Sequence, residues 1–356
     1  MKNILALTRY GSIGPSSRYR FYQYIPYLEK NGFKILVTPF FNDLYTKSIL
    51  SNNENKLKKN LLVSYFKRIR KLCILQNIDA LWIEKELLPW TPSFIENLFL
   101  NIKVPIITDY DDAVFHRYDK HSNFLTRYLL SNKIKRVMNK STLVIAGNKY
   151  IANYAKLSGV KKVEIIPTSI EIQNKNIKRK TQTKSFTIGW IGSASTSKHI
   201  NEISDVLIKI CLENKVIFKA IGANKNFLNN FPVKIVSWKE KNEIEEISNF
   251  DVGIMPLPDS PWERGKCGLK LIQYMSCGIP VIASPVGINK EIVEHGKNGF
   301  LAKNIDEWLM FLRKLKNEPN LRSKMGQEGL KKVNEKYSIT THSKSLVKIF
   351  NSLLNK

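Results

Sequence analysis

Cysteine is scarce in this chain of 356 residues, and the four present, Cys73, Cys211, Cys267 and Cys277, are widely spread with no CxxC pair. A reducing, cytoplasmic compartment is therefore expected. Long hydrophobic runs are missing too. No stretch approaches the roughly 20 apolar residues needed to cross a bilayer. The opening MKNILALTRYG is too short for a secretory signal and reads as a strand entering a glycine loop. No short internal repeat is visible, and no GxGxxG fingerprint. The spacing of Gly11 and Gly14 is wrong for one, which counts against an NAD enzyme.

Acidic residues are few: 30 Asp and Glu stand against 57 Lys and Arg, a net charge of +27. Three explanations fit such an excess: nucleic acid, an anionic membrane or small anionic substrate, or a lysine-heavy proteome. Most of the basic residues are Lys, and Asn and Ile are abundant, which suits the last. Apolar residues at 43% and aromatics at 10% are enough for real cores. A chain of this length is expected to divide into two domains.

Short apolar runs alternate with amphipathic segments throughout. NILALT precedes a helix expected over residues 16–31, FKILVTP precedes a basic helix over 57–76, and DALWIE, VPIITDY, TLVIAG and VEIIP follow, with a helix over 123–139 among them. The alternation predicts α/β units with parallel sheets covered by helices on both faces. Polar, aperiodic sequence places an interdomain linker at 169–185, between a Rossmann-like domain at 1–168 and a second at 186–338. The segment 339–356 reads as an amphipathic helix able to pack back on the first domain.

Ligands in open parallel sheets sit beyond the carboxyl ends of strands, so the loops there hold the candidates. In WERGKCGLKLIQYM, Gly265 and Gly268 admit a close backbone approach. Lys266 and Lys270 add charge at a helix start beginning with Leu269, which together make a diphosphate cradle. Gln273 is placed to bond a hydroxyl, and Glu263 to receive sugar hydroxyls. Solvated lysines at an exposed helix start would produce the same pattern. In GWIGSASTSKHINEI, Gly192 and Ser193 form a glycine turn ahead of Lys198, or simply a capped helix start. Trp238 after Ser237 either stacks on a ligand or packs. In RYGSIGPSSRYRF, Gly11 and Gly14 free a loop before Arg18 and Arg20. In DYDDAVFHRYD, Asp109, Asp111 and Asp112, with His116, are candidates for a divalent metal or for accepting a hydroxyl proton. Asp112 or Asp111 is favoured as an active-site acid, against a polar loop capping the next helix.

LIQYMSCGIPVIASPVG resembles the carboxyl-terminal signature of glycosyltransferase family 4, group 1 transferases that are retaining enzymes of the GT-B fold. Gly268, Gly278, Pro280 and Val281 match the pattern. Gln273 stands where the family's second glutamate contacts the nucleotide ribose. Gly265 occupies the position of the first glutamate, and Glu263, two residues earlier, is taken as its equivalent, as in a bacterial subgroup with W-E-R-G-K-C-G-x-K-L-I-Q-Y-M. Lys198 matches the lysine of the family's diphosphate loop, where Ser193 replaces an arginine. Ser237 and Trp238 fall where members hold the base.

What the resemblance implies is a GT-B chain of two Rossmann-like domains whose parallel sheets face each other across a cleft, the first on the acceptor side and the second holding the donor. It implies a retaining transferase that moves sugar from a UDP- or GDP-sugar to a hydroxyl of a glycan or lipid-linked acceptor, needing no cofactor and no metal. Bacterial surface polysaccharide or lipopolysaccharide assembly is the expected setting. LKKNLLVSYFKRIRKL and NKIKRVMNK suit docking on the anionic inner face of the cytoplasmic membrane, or are solvated helix faces. Two other readings stand beside it: a GT-B enzyme of another kind, such as a sugar-nucleotide epimerase, and a non-catalytic nucleic-acid-binding protein. No nucleic acid is expected, since no binding module is recognisable.

Overall fold

The computed structural model describes residues 1–43, 46, 54–74, 77–172, 185–228 and 232–354. Among them the paired strands are all parallel and form two six-stranded sheets. The first sheet contains β1 (Lys2–Tyr10), β2 (Phe33–Phe41), β3 (Ala80–Glu84), β4 (Ile106–Tyr110), β5 (Leu143–Ala146) and β6 (Val163–Ile165), in the order β2-β1-β3-β4-β5-β6. The second contains β7 (Phe186–Ile191), β8 (Val216–Ile221), β9 (Val233–Val236), β10 (Val252–Met255), β11 (Val281–Ala283) and β12 (Gly299–Leu301), in the order β12-β11-β10-β7-β8-β9. Each order reverses beside its first strand. The switch points, β1 against β3 and β7 against β10, are where a crevice opens at the carboxyl ends.

Two compact units divide the chain. One comprises Met1–Ser169, Arg264–Cys267 and Ile339–Lys356, and the other Ile170–Glu263 and Gly268–Ser338. The linker expected over 169–185 falls mostly at 173–184, outside the described residues.

In the first unit every residue of β3, β4 and β5 is buried, as helices on both faces require. Side chains alternate along a strand, so β1 feeds two cores. Ile4 and Ala6 join Trp82, Ile107, Phe21 and the helix Ile339–Leu354 on one face. Leu5 and Leu7 join Leu81, Ile83, Phe40 and Val137 on the other. The Phe350 ring meets Trp82 edge-on at 5.3 Å and Phe33 at 5.7 Å.

In the second unit Ile188 and Trp190 of β7 point into a core with Val206, Leu207, Phe218 and Leu312. Gly189 faces the other way, where a Cβ would come within 1.9 Å of the Phe250 ring. Only glycine lets that ring close on the sheet.

Three helices differ from expectation. The one expected over 16–31 is broken into Pro15–Arg20, a 3-10 turn at Tyr22–Tyr24 and Ile25–Glu29, because Pro26 has no amide to continue the ladder. That over 123–139 is two helices, Phe124–Leu130 and Lys133–Lys140. The segment after Ser193 is a 3-10 helix, Ala194–Ile203. Among the described residues, no helix is long and apolar enough to cross a membrane.

Candidate functional site

At the β7 and β10 switch point of the second unit, Gly192 follows β7 and the helix Leu269–Ser276 begins nearby. Its Tyr274 hydroxyl accepts the Ile191 amide at 2.9 Å, which ties the helix to the end of β7. Lys270 extends its ammonium over the Trp190 ring, 4.1 Å from the centroid. A Cβ on Gly192 would stand 2.8 Å from that ammonium and 2.6 Å from the indole. Gly268 caps the helix with φ of 68°, and a side chain there would strike Ile292 at 2.2 Å. A glycine turn and the Lys270 cation thus meet near a helix start, the makings of an anion cradle.

Two carboxylates flank this cradle. Glu263, 7% exposed, receives the Ser260 hydroxyl on one oxygen and has His199 Nε2 at 3.3 Å from the other. Glu243 accepts the Trp238 indole N–H at 2.6 Å and the Gln273 amide at 2.9 Å. Trp238 is half-buried. Lys198 is exposed on the 3-10 segment, Ser193 is exposed and bonds Ser195 and Thr196, and Ser237 is exposed beside Trp238.

The first unit gathers a polar network at its own switch point. The turn at Gly11 and Gly14 closes with a 3.1 Å bond from the Gly14 amide to the Gly11 carbonyl. Ser16, at the start of the following helix, donates to Asp111 at 2.6 Å, and Ser17 donates to Glu84 at 2.5 Å. Lys85 reaches Asp111 at 2.7 Å and Asp112 at 3.5 Å. Its backbone has φ of 66°, a left-handed state that costs about 1–3 kcal/mol in a residue other than glycine. Burial opposes the Asp111 charge, but Lys85 outweighs it and holds the carboxyl below its usual range. Asp109 is instead pushed up to about 6 by burial, against the pull of Arg20 at 2.7 Å. His116 lies between Asp119 and Tyr150, at 2.9 and 2.8 Å. The acidic loop thus faces Arg20 and Lys85, and among the described residues no group of three metal-ligating side chains could hold a metal ion.

Arg264–Cys267 belongs by its packing to the first unit. Asn148 donates to the carbonyls of Gly265 at 2.9 Å and Lys266 at 3.0 Å. A Cβ on Gly265 would meet that of Ala113 at 2.2 Å. Lys266 therefore sits on a segment fixed in one unit, whereas Gly268, Leu269, Lys270 and Gln273 belong to the other.

Sequence reasoning missed Glu84, Lys85, Glu86, His199 and Glu243. For the first three a signal existed: three ionisable residues directly after DALWI, a run that is otherwise fully apolar from its strand core onward. His199 and Glu243 carry no local signal.

Residues 185–317 match the family model described as Glycosyl transferases group 1. The match lies mostly in the second unit. An uncharacterised glycosyltransferase of Methanocaldococcus jannaschii is 25% identical over 244 residues, 62% of this chain and 61% of that one. The chain thus spans about three fifths of that relative's length, and about a tenth of the sucrose synthases it also matches. Among solved glycosyltransferase-fold structures, Anabaena HepE, in complex with UDP and glucose, superposes with TM-score 0.74 at 16% identity, covering 99% of this chain and 100% of that one. WaaG, a glycosyltransferase involved in lipopolysaccharide biosynthesis, gives TM-score 0.68 at 13% identity over 98% and 99%. The fold of the chain is GT-B, two parallel sheets each covered by helices.

Proposed function

We propose that the protein is a retaining glycosyltransferase that moves a sugar from a UDP- or GDP-sugar to a hydroxyl of a glycan or lipid-linked acceptor. The setting is assembly of a bacterial surface polysaccharide or lipopolysaccharide. One observation carries the reading: Lys270, held over Trp190, brings its ammonium against the Gly192 turn at the end of β7. The complex of HepE with UDP and glucose and the part WaaG plays in lipopolysaccharide biosynthesis support it.

When the glycosidic bond to the nucleotide breaks, negative charge builds on the diphosphate and positive charge on the anomeric carbon. Lysines and amides placed for the first change stabilise the transition state more than the ground state. Lys270 and Lys198, both of the second unit, take that part, so the reaction needs no bound metal or cofactor. Glu263, held by His199 and Ser260, receives hydroxyls of the transferred sugar. Trp238, Glu243 and Gln273, beside Ser237, address the nucleoside. Asp111, kept ionised by Lys85, and the more exposed Asp112 serve the acceptor hydroxyl. The first unit is the acceptor side and the second the donor side. The exposed basic helix face with Lys67, Arg70 and Lys71 sets the first unit on an anionic membrane at the cytoplasmic face.

The test is a thermal-shift panel of UDP, GDP, ADP, CMP and their sugar conjugates against wild type and Lys270→Ala. A ligand at about 100 times its dissociation constant adds roughly 2.7 kcal/mol. Stabilisation by one nucleoside diphosphate that the substitution abolishes is the expected result, and no shift with any of them removes the donor site from where it is placed.

A further inference from the structure

Of the six tryptophans in the chain, Trp90 alone has an exposed side chain. It is 45% exposed, whereas Trp82 and Trp190 are fully buried, Trp308 nearly so, and Trp238 and Trp262 half-buried. Its backbone also stands in the left-handed region, with φ of 62°. For so bulky a residue that conformation is an outlier, and glycine or asparagine would hold the turn with less strain. Neither burial nor backbone preference puts an indole here.

The loop that carries Trp90 is held firmly. The Leu88 amide donates to Glu96 at 2.8 Å, the Leu88 carbonyl accepts from Lys133 and from the Thr91 hydroxyl, and the Pro89 carbonyl accepts from Tyr65. The Trp90 amide donates to the Tyr118 hydroxyl at 3.1 Å, and that hydroxyl donates to Glu86 at 2.8 Å. The indole stands nearly perpendicular to the rings of Tyr118, at 5.2 Å, and His121, at 5.7 Å. Backbone strain persists where the surroundings over-determine it, and it collects at ligand sites.

Two donors at this place are unused. The indole N–H makes no hydrogen bond to the described residues. His121 Nδ1 accepts the Asn123 amide at 3.0 Å, so the neutral imidazole carries its proton on Nε2, which has no partner among the described residues. An acyl chain would use the ring and leave both donors idle. A pyranose uses all three: the C–H bonds of one sugar face meet the negative face of an aromatic ring, and its hydroxyls take the N–H groups.

The position suits an acceptor. Trp90 lies on the loop after β3, and His121 follows the helix His116–Asp119 after β4, the neighbouring strand of the same sheet. Those two loops also carry Lys85 and the Asp111 and Asp112 that it bonds. Lys85 shares the left-handed backbone of Trp90. One loop thus takes a strained turn at the carboxylates and another at the ring.

We propose that Trp90 and His121 form a subsite for a sugar ring of the acceptor, with the indole stacked on a pyranose and the two N–H groups bonded to its hydroxyls. The proposal rests on the acceptor-side part of the functional reading and deepens it: the acceptor presents a glycan end here, not a bare lipid alcohol.

The experiment is fluorine NMR of the full chain labelled with fluorotryptophan, the Trp90 line being identified by its absence in Trp90→Phe. The titrants are methyl glycosides of hexoses, deoxyhexoses, heptoses, N-acetylhexosamines and uronic acids, with glycerol and hexanol as controls. One class of glycoside should move the Trp90 line saturably while both controls leave it in place. In isothermal titration with that glycoside, Trp90→Leu should weaken binding about tenfold, the size of one aromatic contact, and Trp90→Phe much less. His121→Ala should weaken it about fivefold, the size of one hydrogen bond. Circular dichroism checks that the variants fold. A line that no glycoside moves overturns the proposal, and so does a line that hexanol moves and glycosides do not. Stabilisation by a nucleoside diphosphate beside a silent Trp90 line would remove this subsite and leave the transferase reading. A responsive line with no nucleotide effect would keep the sugar subsite and remove the donor site.

Discussion

His199 Nε2 stands 3.3 Å from Glu263 Oε1, and both side chains are buried in the second unit. The histidine follows Lys198 on the 3-10 segment after β7, so that one short loop supplies both a cation and a support for the carboxylate. If Glu263 bonds the transferred sugar, Glu263→Gln should lower kcat about a hundredfold, the size of effect seen when one transition-state hydrogen bond is lost. His199→Ala should lower kcat by about tenfold with little change in KM for the acceptor, and His199→Gln should recover part of it. Steady-state kinetics on the three variants decide the matter. Normal turnover by Glu263→Gln would take Glu263 out of the chemistry.

Lys270 and Gly192 make a joint prediction. Lys270→Ala removes the cation and should cost about 3 kcal/mol in kcat/KM. Gly192→Ala keeps the lysine but puts a methyl 2.8 Å from its ammonium and 2.6 Å from Trp190. It should therefore displace the charge and weaken nucleoside diphosphate binding nearly as much, while global stability falls by less than about 2 kcal/mol. Isothermal titration with the diphosphate, paired with urea unfolding, separates the two effects.

Much of the fold was legible because strands buried on both faces read as continuous apolar runs between amphipathic segments; β7, FTIGWI, is the plainest case. Pro26 was visible too, but its consequence, a helix broken in three, was not drawn from it. The glycines and lysines of the second unit stood out because they sit in one contiguous stretch. The pairings that were missed meet only in three dimensions. Ser16 finds Asp111 across 95 positions and Ser17 finds Glu84 across 67, and no local period encodes such a pairing. Gln273 was read as a hydroxyl partner, and the helix start after β9 brings Glu243 to it.

Acid stability should track Glu86. Burial opposes its ionisation, but Lys133 at 2.7 Å and Arg9 at 3.0 Å prevail and hold the carboxyl at about 2 against an ordinary 4.5. A depressed folded value means the unfolded chain binds the proton more readily, so the contribution is complete above the ordinary value and is lost as pH falls from there toward 2. Asp109 works in the opposite sense: raised from 3.8 to about 6, its contribution is lost as pH rises through that window. Glu86→Gln should destabilise by about 3–5 kcal/mol near neutral pH, because Lys133 is left buried without its full counter-charge. It should also flatten the acid limb of the stability curve. Urea midpoints measured from about pH 7 down to about pH 3 test both. An acid limb unchanged in the variant would assign the loss to other carboxylates.

The helix Ile339–Leu354 lies far from β1 in sequence, yet it covers a face of the sheet that β1 belongs to. Its Phe350 is fully buried, edge-on to Trp82 at 5.3 Å and Phe33 at 5.7 Å, among Ile4, Leu346 and Ile349. Truncation to Ala leaves a cavity between two aromatic rings that cannot both move in, since Trp82 is itself locked in β3 against Phe21 at 4.1 Å. A loss of about 3–5 kcal/mol follows. Because the first unit owns this contact, its unfolding transition alone should shift, while stabilisation of the second unit by a nucleoside diphosphate should persist. Differential scanning calorimetry with and without the ligand reads both at once. A single transition lowered as a whole, with ligand stabilisation lost, would mean that the two units do not melt separately and that this helix supports more than the sheet it covers.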